Sequence, residues 1–289
     1  MPIIEEMTED EPTGGGASSE GTSGSDRSND TSTTGGPSGS SSTSQRHGTQ
    51  AVCDHITAHK IDTALWLSRM FTVMCCIFFI IPIFGPSFTS SAYQRALICN
   101  GLTSALRLHQ RLPRFQLNRE FFGRMLLEDS CHYILYSLLF INSYPITLVL
   151  TPVLLYALLH ACGYTKLLLN LHGETSLQFL RRLIDKLTTN QQQLFRFIAL
   201  NEIIIMPCLI VMIFIGKCSL LLPFVYYRFL SLRYSSRRNP YCRVMFYEMR
   251  VVSENYSRQA NCPGFLRSFI TRGIAFLEKL APPTQPSQS

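Results

Sequence analysis

The chain has 289 residues, of which 46% are hydrophobic and 16% charged, with a net charge of +7 and a mean hydropathy of +0.12. Residues 1–50 hold eight acids and two arginines, a balance of −6, so the 239 residues that follow carry +13. That second portion is too apolar for an ordinary soluble domain, and the composition also excludes a collagenous chain and a disulfide mini-protein.

The N-terminal portion comes first. Between residues 13 and 49, 27 of 37 positions are Gly, Ser or Thr. Such a segment offers too little apolar surface to offset the entropy of ordering it, which predicts a disordered acidic tail over 1–55. It contains one glycosylation sequon, Asn29-Asp30-Thr31, whose use would report entry of the tail into the lumen. No basic n-region or early apolar run is present, so no cleavable signal peptide is expected. Cys53, Asp54, His55 and His59 are metal-ligand types at helical spacing. No fourth ligand is evident beside the cysteine and histidines, and the segment runs directly into an apolar helix, so a polar interfacial turn is the better reading. The ten cysteines form no paired CxxC modules and are expected to pack as small hydrophobes, with no metal or cofactor bound.

A helical membrane domain is predicted over 56–245, with apolar stretches at about 64–84, 131–165 and 197–227. Asn142-Ser143-Tyr144-Pro145 reads as a turn inside the second, and Gly216-Lys217-Cys218-Ser219 divides the third. Three basic clusters flank these stretches: Arg95 through Arg124, Lys166 through Arg196, and Arg228 through Arg250. The excess of positive charge in cytoplasmic loops places all three in the cytosol. A stretch with both ends in one compartment must turn back, so the second and third are expected to be helical hairpins. Some of their halves are shorter than the ~17 residues a full span needs, which suits shallow, wedge-like insertion. The first stretch leaves two options. A single crossing would put the tail in the lumen, whereas a hairpin returning through 93–112 would put it in the cytosol.

Several side chains are candidates for function. Glu202, with Asn201 beside it, is a carboxylate within or just under the bilayer, and such groups are functional candidates by default. Arg228 or His160 would be its partners if the hairpins pack together; the plainer alternative is an interfacial glutamate satisfied by a neighbouring helix end. Glu128 and His132 are spaced to pair on a helix, although acids at a helix start are also explained by the macrodipole. Arg228, Arg233, Arg237, Arg238 and Arg243 form a basic, aromatic-interleaved run suited to anionic headgroups or an acidic protein partner. No nucleic-acid-reading module accompanies it, so nucleic acid is not an expected partner. Thr175-x-x-Gln178 fits a capping box opening a packing helix with Leu177, Leu180, Leu183, Ile184 and Leu187 on one side.

The C-terminal segment, 246–281, is expected to be cytosolic and to contain an amphipathic helix over 263–281, followed by a disordered end at 282–289. Phe265, Leu266, Phe269, Ile270, Phe276, Leu277 and Leu280 fall in one arc of about 140°, with Arg267, Arg272 and Lys279 outside it. The pattern fits a helix lying in the headgroup region, or equally one packed on the protein's own core. Nowhere does the chain carry a phosphate loop, dinucleotide fingerprint, nucleophile elbow or zinc-protease motif, so an enzyme is not expected.

Ile61-Asp62-Thr63-Ala64-Leu65-Trp66-Leu67-Ser68-Arg69 opens a longer pattern. It continues through Tyr93–Leu97, the run from Leu102 to Pro113, Leu127–Tyr133, Asn142–Pro145 and Tyr226–Arg243. Over roughly 60–282 the chain resembles the transmembrane protein 33 family, most of all its insect-type Krüppel-homolog branch, which is related to fungal pore-membrane proteins. The resemblance implies a multi-pass protein of the endoplasmic reticulum membrane and nuclear envelope. The partners it implies are the lipid bilayer, reticulon-type tubule-shaping proteins, nuclear-pore components and stress sensors of the reticulum. It carries over no catalytic residue, and it does not cover the Gly/Ser/Thr tail. The expectation is an all-α polytopic membrane protein with helical hairpins and cytosolic amphipathic helices, acting as a non-enzymatic organiser of these membranes. The alternatives are a small transporter or channel with Glu202 lining its path, and a scaffold acting only through protein partners.

Overall fold

In the computed structural model the described residues are 40–81, 85–112, 118–173, 177–236, 239–259 and 263–280, with side chains from Thr49 onward except those of Phe269, Leu277, Lys279 and Leu280. The chain divides into two compact units, Met1–Arg46 and His47–Ser289, and every side-chain contact below belongs to the second. The Asn29 sequon lies outside the described residues. Helix α1 (Ser40–Ala58) begins inside the segment whose composition predicts disorder. The Gly/Ser/Thr bias fades after Gln45, and half-buried Val52 and Ile56, four residues apart, define one helical face.

Three antiparallel hairpins follow. They are α2 (Lys60–Ile80) with α3 (Pro86–Arg111), α5 (Asp129–Phe140) with α6 (Thr147–His172), and α8 (Gln191–Phe214) with α9 (Leu221–Ser235). Short α4 (Arg119–Leu127) and α7 (Gln178–Thr189) connect them, and α10 (Tyr241–Arg258) and α11 (Gly264–Leu280) close the chain. No strand occurs among the described residues. Helices α2, α6 and α8, of 21, 26 and 24 residues, are long and apolar enough to cross a membrane. The protein is therefore an all-α polytopic membrane protein. The first apolar stretch is one arm of a hairpin, since α3 returns along it.

Side-chain pairs set the register. Ser68 and Thr103 hydroxyls meet at 2.7 Å and Phe78 packs edge-on against Phe88, so α3 runs back along α2. Trp66 Nε1 donates to Thr165 Oγ1 at 3.0 Å, which places the end of α6 beside the start of α2. Tyr93 and Ser143 hydroxyls lie 3.4 Å apart, and Lys217 Nζ sits 4.5 Å over the Tyr144 ring. The helix ends at Ile81 and Gly85 and the links at 141–146 and 215–220 thus share one end of the bundle. The opposite ends of these helices, beside α4, α7 and α10, share the other.

Local chemistry explains the breaks. Gly216 takes φ +75° after α8, and two bonds close the helix end: Gly216 N–H to Ile213 O at 2.9 Å and Lys217 N–H to Met212 O at 3.0 Å. This is the Schellman arrangement that a left-handed residue permits. Helix α7 starts at Gln178 after Leu177, which holds a left-handed φ of 49°. That conformation interrupts the helix before Gln178, so Gln178 is the first helical residue and not the third, as the capping box requires; Thr175 lies outside the described residues. Pro152 lies within α6 and has no N–H for the Leu148 carbonyl four residues earlier. Asn201 Nδ2 of α8 donates to that carbonyl instead, at 2.7 Å.

The main core is aromatic. Tyr93, Tyr133, Tyr136, Phe140, Tyr226 and Phe229 pack with Val149, Leu150, Val153, Ile205 and Leu209. Rings of Tyr136 lie 4.9 Å from Phe140 and 5.1 Å from Phe229. Against lipid there is little hydrophobic gain from such contacts, so close packing and interhelical hydrogen bonds must hold the helices together. Gly101 shows the fit: a Cβ there would lie 3.3 Å from Ser137 Cβ, beside the Asn100–Ser137 hydrogen bond of 2.9 Å.

Candidate functional site: a buried charge network and the basic-end helices

Helix α8 carries Glu202 into the bundle interior, where it has 0% exposure. Tyr133 Oη of α5 donates to its Oε1 at 2.5 Å, and Arg233 Nε of α9 donates to its Oε2 at 3.1 Å. Tyr226 Oη donates to the Glu202 backbone oxygen at 2.7 Å. The Arg233 guanidinium also reaches Asp129 Oδ1 and Tyr156 Oη, each at 3.1 Å, and lies 5.5 Å above the Tyr133 ring. Ser236 Oγ donates to Asp129 at 3.1 Å, and Asn239 Nδ2 donates to Tyr156 Oη at 2.8 Å. One guanidinium therefore ties together α5, α6, α8 and the end of α9.

The network forms at this level because α5 and α9 are short, with 12 and 15 residues. Their basic-end termini stop inside the bundle, alongside the middle of α6 and α8. Asp129 sits in the first turn of α5 and Arg233 in the last turn of α9, each matched in sign to its helix dipole. A buried charge is costly unless paired and hydrogen-bonded, and both Glu202 oxygens are taken. The arrangement works as a clamp between helices, with both carboxylate oxygens engaged.

The structure pairs Glu202 with Arg233, not with Arg228 or His160. His160 instead accepts from Arg107 Nη1 at 3.1 Å. Glu128 occupies the N-cap position of α5 without a side-chain capping bond and pairs with Arg111 at 3.6 Å, away from His132. His132 donates through Nε2 to Leu126 O at 2.7 Å, with Nδ1 3.7 Å from Asp129. Of the basic run, Arg228 and Arg243 are exposed, Arg233 is buried, and Arg237 and Arg238 lie outside the described residues. Helical geometry explains the division: Arg233 shares a face with Tyr226, Phe229 and Leu230, and Arg228 does not. Sequence reasoning did not bring Asp129, Tyr133, Tyr156, Ser236 and Asn239 together, because ordinary polar residues far apart in the chain carry no local signature of such a network. Their only hint was that each short arm begins or ends at a charge. Around Cys53 the His55 and His59 rings lie 4.5 Å apart. Among the described residues no group of three or more His, Cys, Asp or Glu side chains is placed to hold a metal ion.

Outside the bundle, α10 packs on α8 and α9 through Cys242, Ala199, Ile203 and Leu230, and an Arg196–Glu248 ion pair closes the contact. Burial pushes the Cys242 thiol up to about 12, with Glu202 adding to the shift and Arg233 opposing it. Helix α11 lies against α10, joined by an Arg250–Glu278 ion pair. On α11 Phe265 is 78% exposed and Phe276 62%, while Leu266 and Ile270 are half-buried. The side chains of Phe269, Leu277 and Leu280 lie outside the description. Helix α7 buries Ile184 against Cys162 and Leu169 of α6 and leaves Phe179 on the surface.

Residues 44–283 match the family described as Transmembrane protein 33/Nucleoporin POM33. Transmembrane protein 33 of Rattus norvegicus is 58% identical over 224 residues, covering 78% of this chain and 91% of the rat protein. The Homo sapiens protein is 57% identical over the same shares of each chain. Krueppel homolog 2 of Drosophila melanogaster is 42% identical over 236 residues, 82% of this chain and 84% of the insect protein. The insect branch is thus less similar than these two mammalian relatives, contrary to the expectation of an insect-type member. No solved structure matches the chain. A helical membrane bundle with this match over most of its length belongs to the Transmembrane protein 33/Nucleoporin POM33 family.

Proposed function

We propose that the chain is a non-enzymatic organiser of the endoplasmic reticulum membrane and nuclear envelope, with its basic connectors and its C-terminus in the cytosol. The observation that carries this reading is the uneven hairpin geometry. The turn-side helix ends of all three hairpins lie together, and the helix ends beside α4, α7 and α10 lie together at the other end. At 1.5 Å per residue α5 and α9 are about 18 and 22 Å long, well short of a ~30 Å hydrocarbon core. Helices α4, α7, α10 and α11 all attach at the basic end, so the protein would displace more lipid in the cytosolic leaflet than in the luminal one. The exposed Phe265 and Phe276 on α11 support membrane contact there, with Arg228 and Arg243 as basic surface for headgroups or acidic partners. Reticulon-type shaping proteins, nuclear-pore components and stress sensors of the reticulum are the partners this reading names, and the nucleoporin in the family's description fits the second. Enclosure of Glu202 by Tyr133 and Arg233 speaks against a conduction path along it.

The test is vesicle shape. Purified full-length protein reconstituted at a fixed protein-to-lipid ratio narrows the vesicle diameter distribution seen by cryo-electron microscopy. Phe265→Asp combined with Phe276→Asp shifts it back toward protein-free vesicles. Wild-type vesicles indistinguishable from protein-free ones would refute membrane shaping and leave the protein-scaffold reading.

A further inference from the structure

One turn along α6 from the Glu202 network lies a second polar cluster. Tyr156 and His160 are four residues apart, and their rings stack at 6.4 Å. Arg107 of α3 donates to His160 Nε2 at 3.1 Å; a guanidinium only donates, so this ring nitrogen presents its lone pair. Arg107 and Arg111 are one turn apart on α3 and share a face. Arg69 comes from α2, brought alongside by the 2.7 Å bond between its neighbour Ser68 and Thr103, which lies one turn before Arg107. Arg69 is 8% exposed although its helix is apolar enough to cross a membrane. Arg111, one-third exposed at its side chain, pairs with Glu128 at 3.6 Å and opens the cluster toward the basic end.

The surroundings identify the kind of ligand. Leu102 and Leu106 on α3, and Leu67 and Met70 on α2, are exposed apolar side chains, between 40% and 56% accessible. Three guanidinium groups at the cytosolic-side end of a lipid-facing apolar surface match an amphiphile with an anionic head. Guanidinium forks bind phosphate oxygens two at a time, and a phosphate is the anion that a membrane supplies at this depth together with its own acyl chains. We infer that Arg69, Arg107 and Arg111, gathered around His160 between α2, α3 and α6, form a binding site for the phosphate of an anionic phospholipid. Its acyl chains lie along Leu102 and Leu106. The site is separate from the exposed Arg228 and Arg243 and does not depend on α11.

Full-length protein in detergent, titrated with short-chain phosphatidic acid and followed by native mass spectrometry, tests the site. Binding to the wild type is saturable, while phosphatidylcholine of the same chain length binds at least about tenfold more weakly. Arg107→Gln with Arg111→Gln weakens phosphatidic acid by about tenfold or more. Arg107→Lys with Arg111→Lys, which keeps the charge and loses the fork, falls between. Arg228→Gln with Arg243→Gln binds as the wild type does. Equal binding of phosphatidylcholine overturns the inference, as does displacement of the lipid by equimolar inorganic phosphate. So does unchanged affinity in both the Gln and the Lys double variants.

Discussion

Arg233 and Glu202 are 31 residues apart in sequence and meet at 3.1 Å, with side-chain exposures of 1% and 0%. The contact joins the two arms of the third hairpin. Through Asp129 and Tyr156 the same guanidinium fastens that hairpin to the second one. Where lipid removes most of the hydrophobic drive between helices, such polar ties carry an unusual share of the specificity.

Removing one partner of a buried pair leaves the other charge stranded, at a typical cost of about 3–5 kcal/mol. Arg233→Met should therefore lower the melting temperature of the detergent-solubilised protein by several degrees. Adding Glu202→Gln to that variant should recover part of the loss, because the stranded carboxylate is neutralised. Thermal unfolding followed by tyrosine and tryptophan fluorescence measures both. An Arg233→Met protein that melts with the wild type would show that the pair does not clamp the helices.

Gly101 makes a second prediction about packing. Alanine there gains helix propensity worth up to about 1 kcal/mol but presses on Ser137 Cβ, so the two effects nearly cancel. Leucine cannot be accommodated without parting α3 from α5 and should destabilise by about 1–3 kcal/mol. The same melting assay separates the two variants, and a Gly101→Leu protein as stable as Gly101→Ala would overturn the close approach.

Thiol chemistry should follow burial. Cys242 is fully buried and its thiol is pushed up to about 12, whereas Cys53 is exposed. A group raised that far stays protonated at every pH below about 11, so alkylation of Cys242 should be negligible and should not increase between pH 7 and pH 9. Peptide-level mass spectrometry after brief alkylation should find Cys53 modified and Cys242 intact until denaturant is added. Rapid modification of Cys242 in the native protein would place α10 away from α8.

The hairpin arrangement makes a prediction about topology. Protease sites inserted at 141–146 and at 215–220 should share one pattern of protection in sealed microsomes. A site at 189–190 should show the opposite pattern. Cleavage of the 215–220 site and the 189–190 site from the same face would mean that α8 does not cross, contrary to its length and apolar content.

Much of this architecture was legible without coordinates. The apolar stretches, the turn at Asn142–Pro145 and the break at Gly216 are local properties of composition and period. They define where helices run and where they stop. The return of α3 was only one of two options, because Arg95 and the polar residues of that helix give it a weaker membrane signature than its packed position against α2 warrants. Arg233 read as one more arginine in a basic surface run. Whether a side chain in such a run faces solvent or core depends on the rotation of α9 about its axis, and that rotation is set by Tyr226 and Phe229 packing on helices far away in the chain.

Sequence by itself determined the class of molecule, its family and the hairpin pattern of its second and third apolar stretches, because hydropathy, charge bias and turn residues act over a few neighbouring positions. Tertiary structure alone decided which charges are buried together. Glu202 with Arg233 and Asp129, and Arg107 with His160, are pairings across 31 to 104 residues of chain. They exist because short helices end at the level where longer ones continue, a match of lengths and rotations between elements that no local stretch of residues contains.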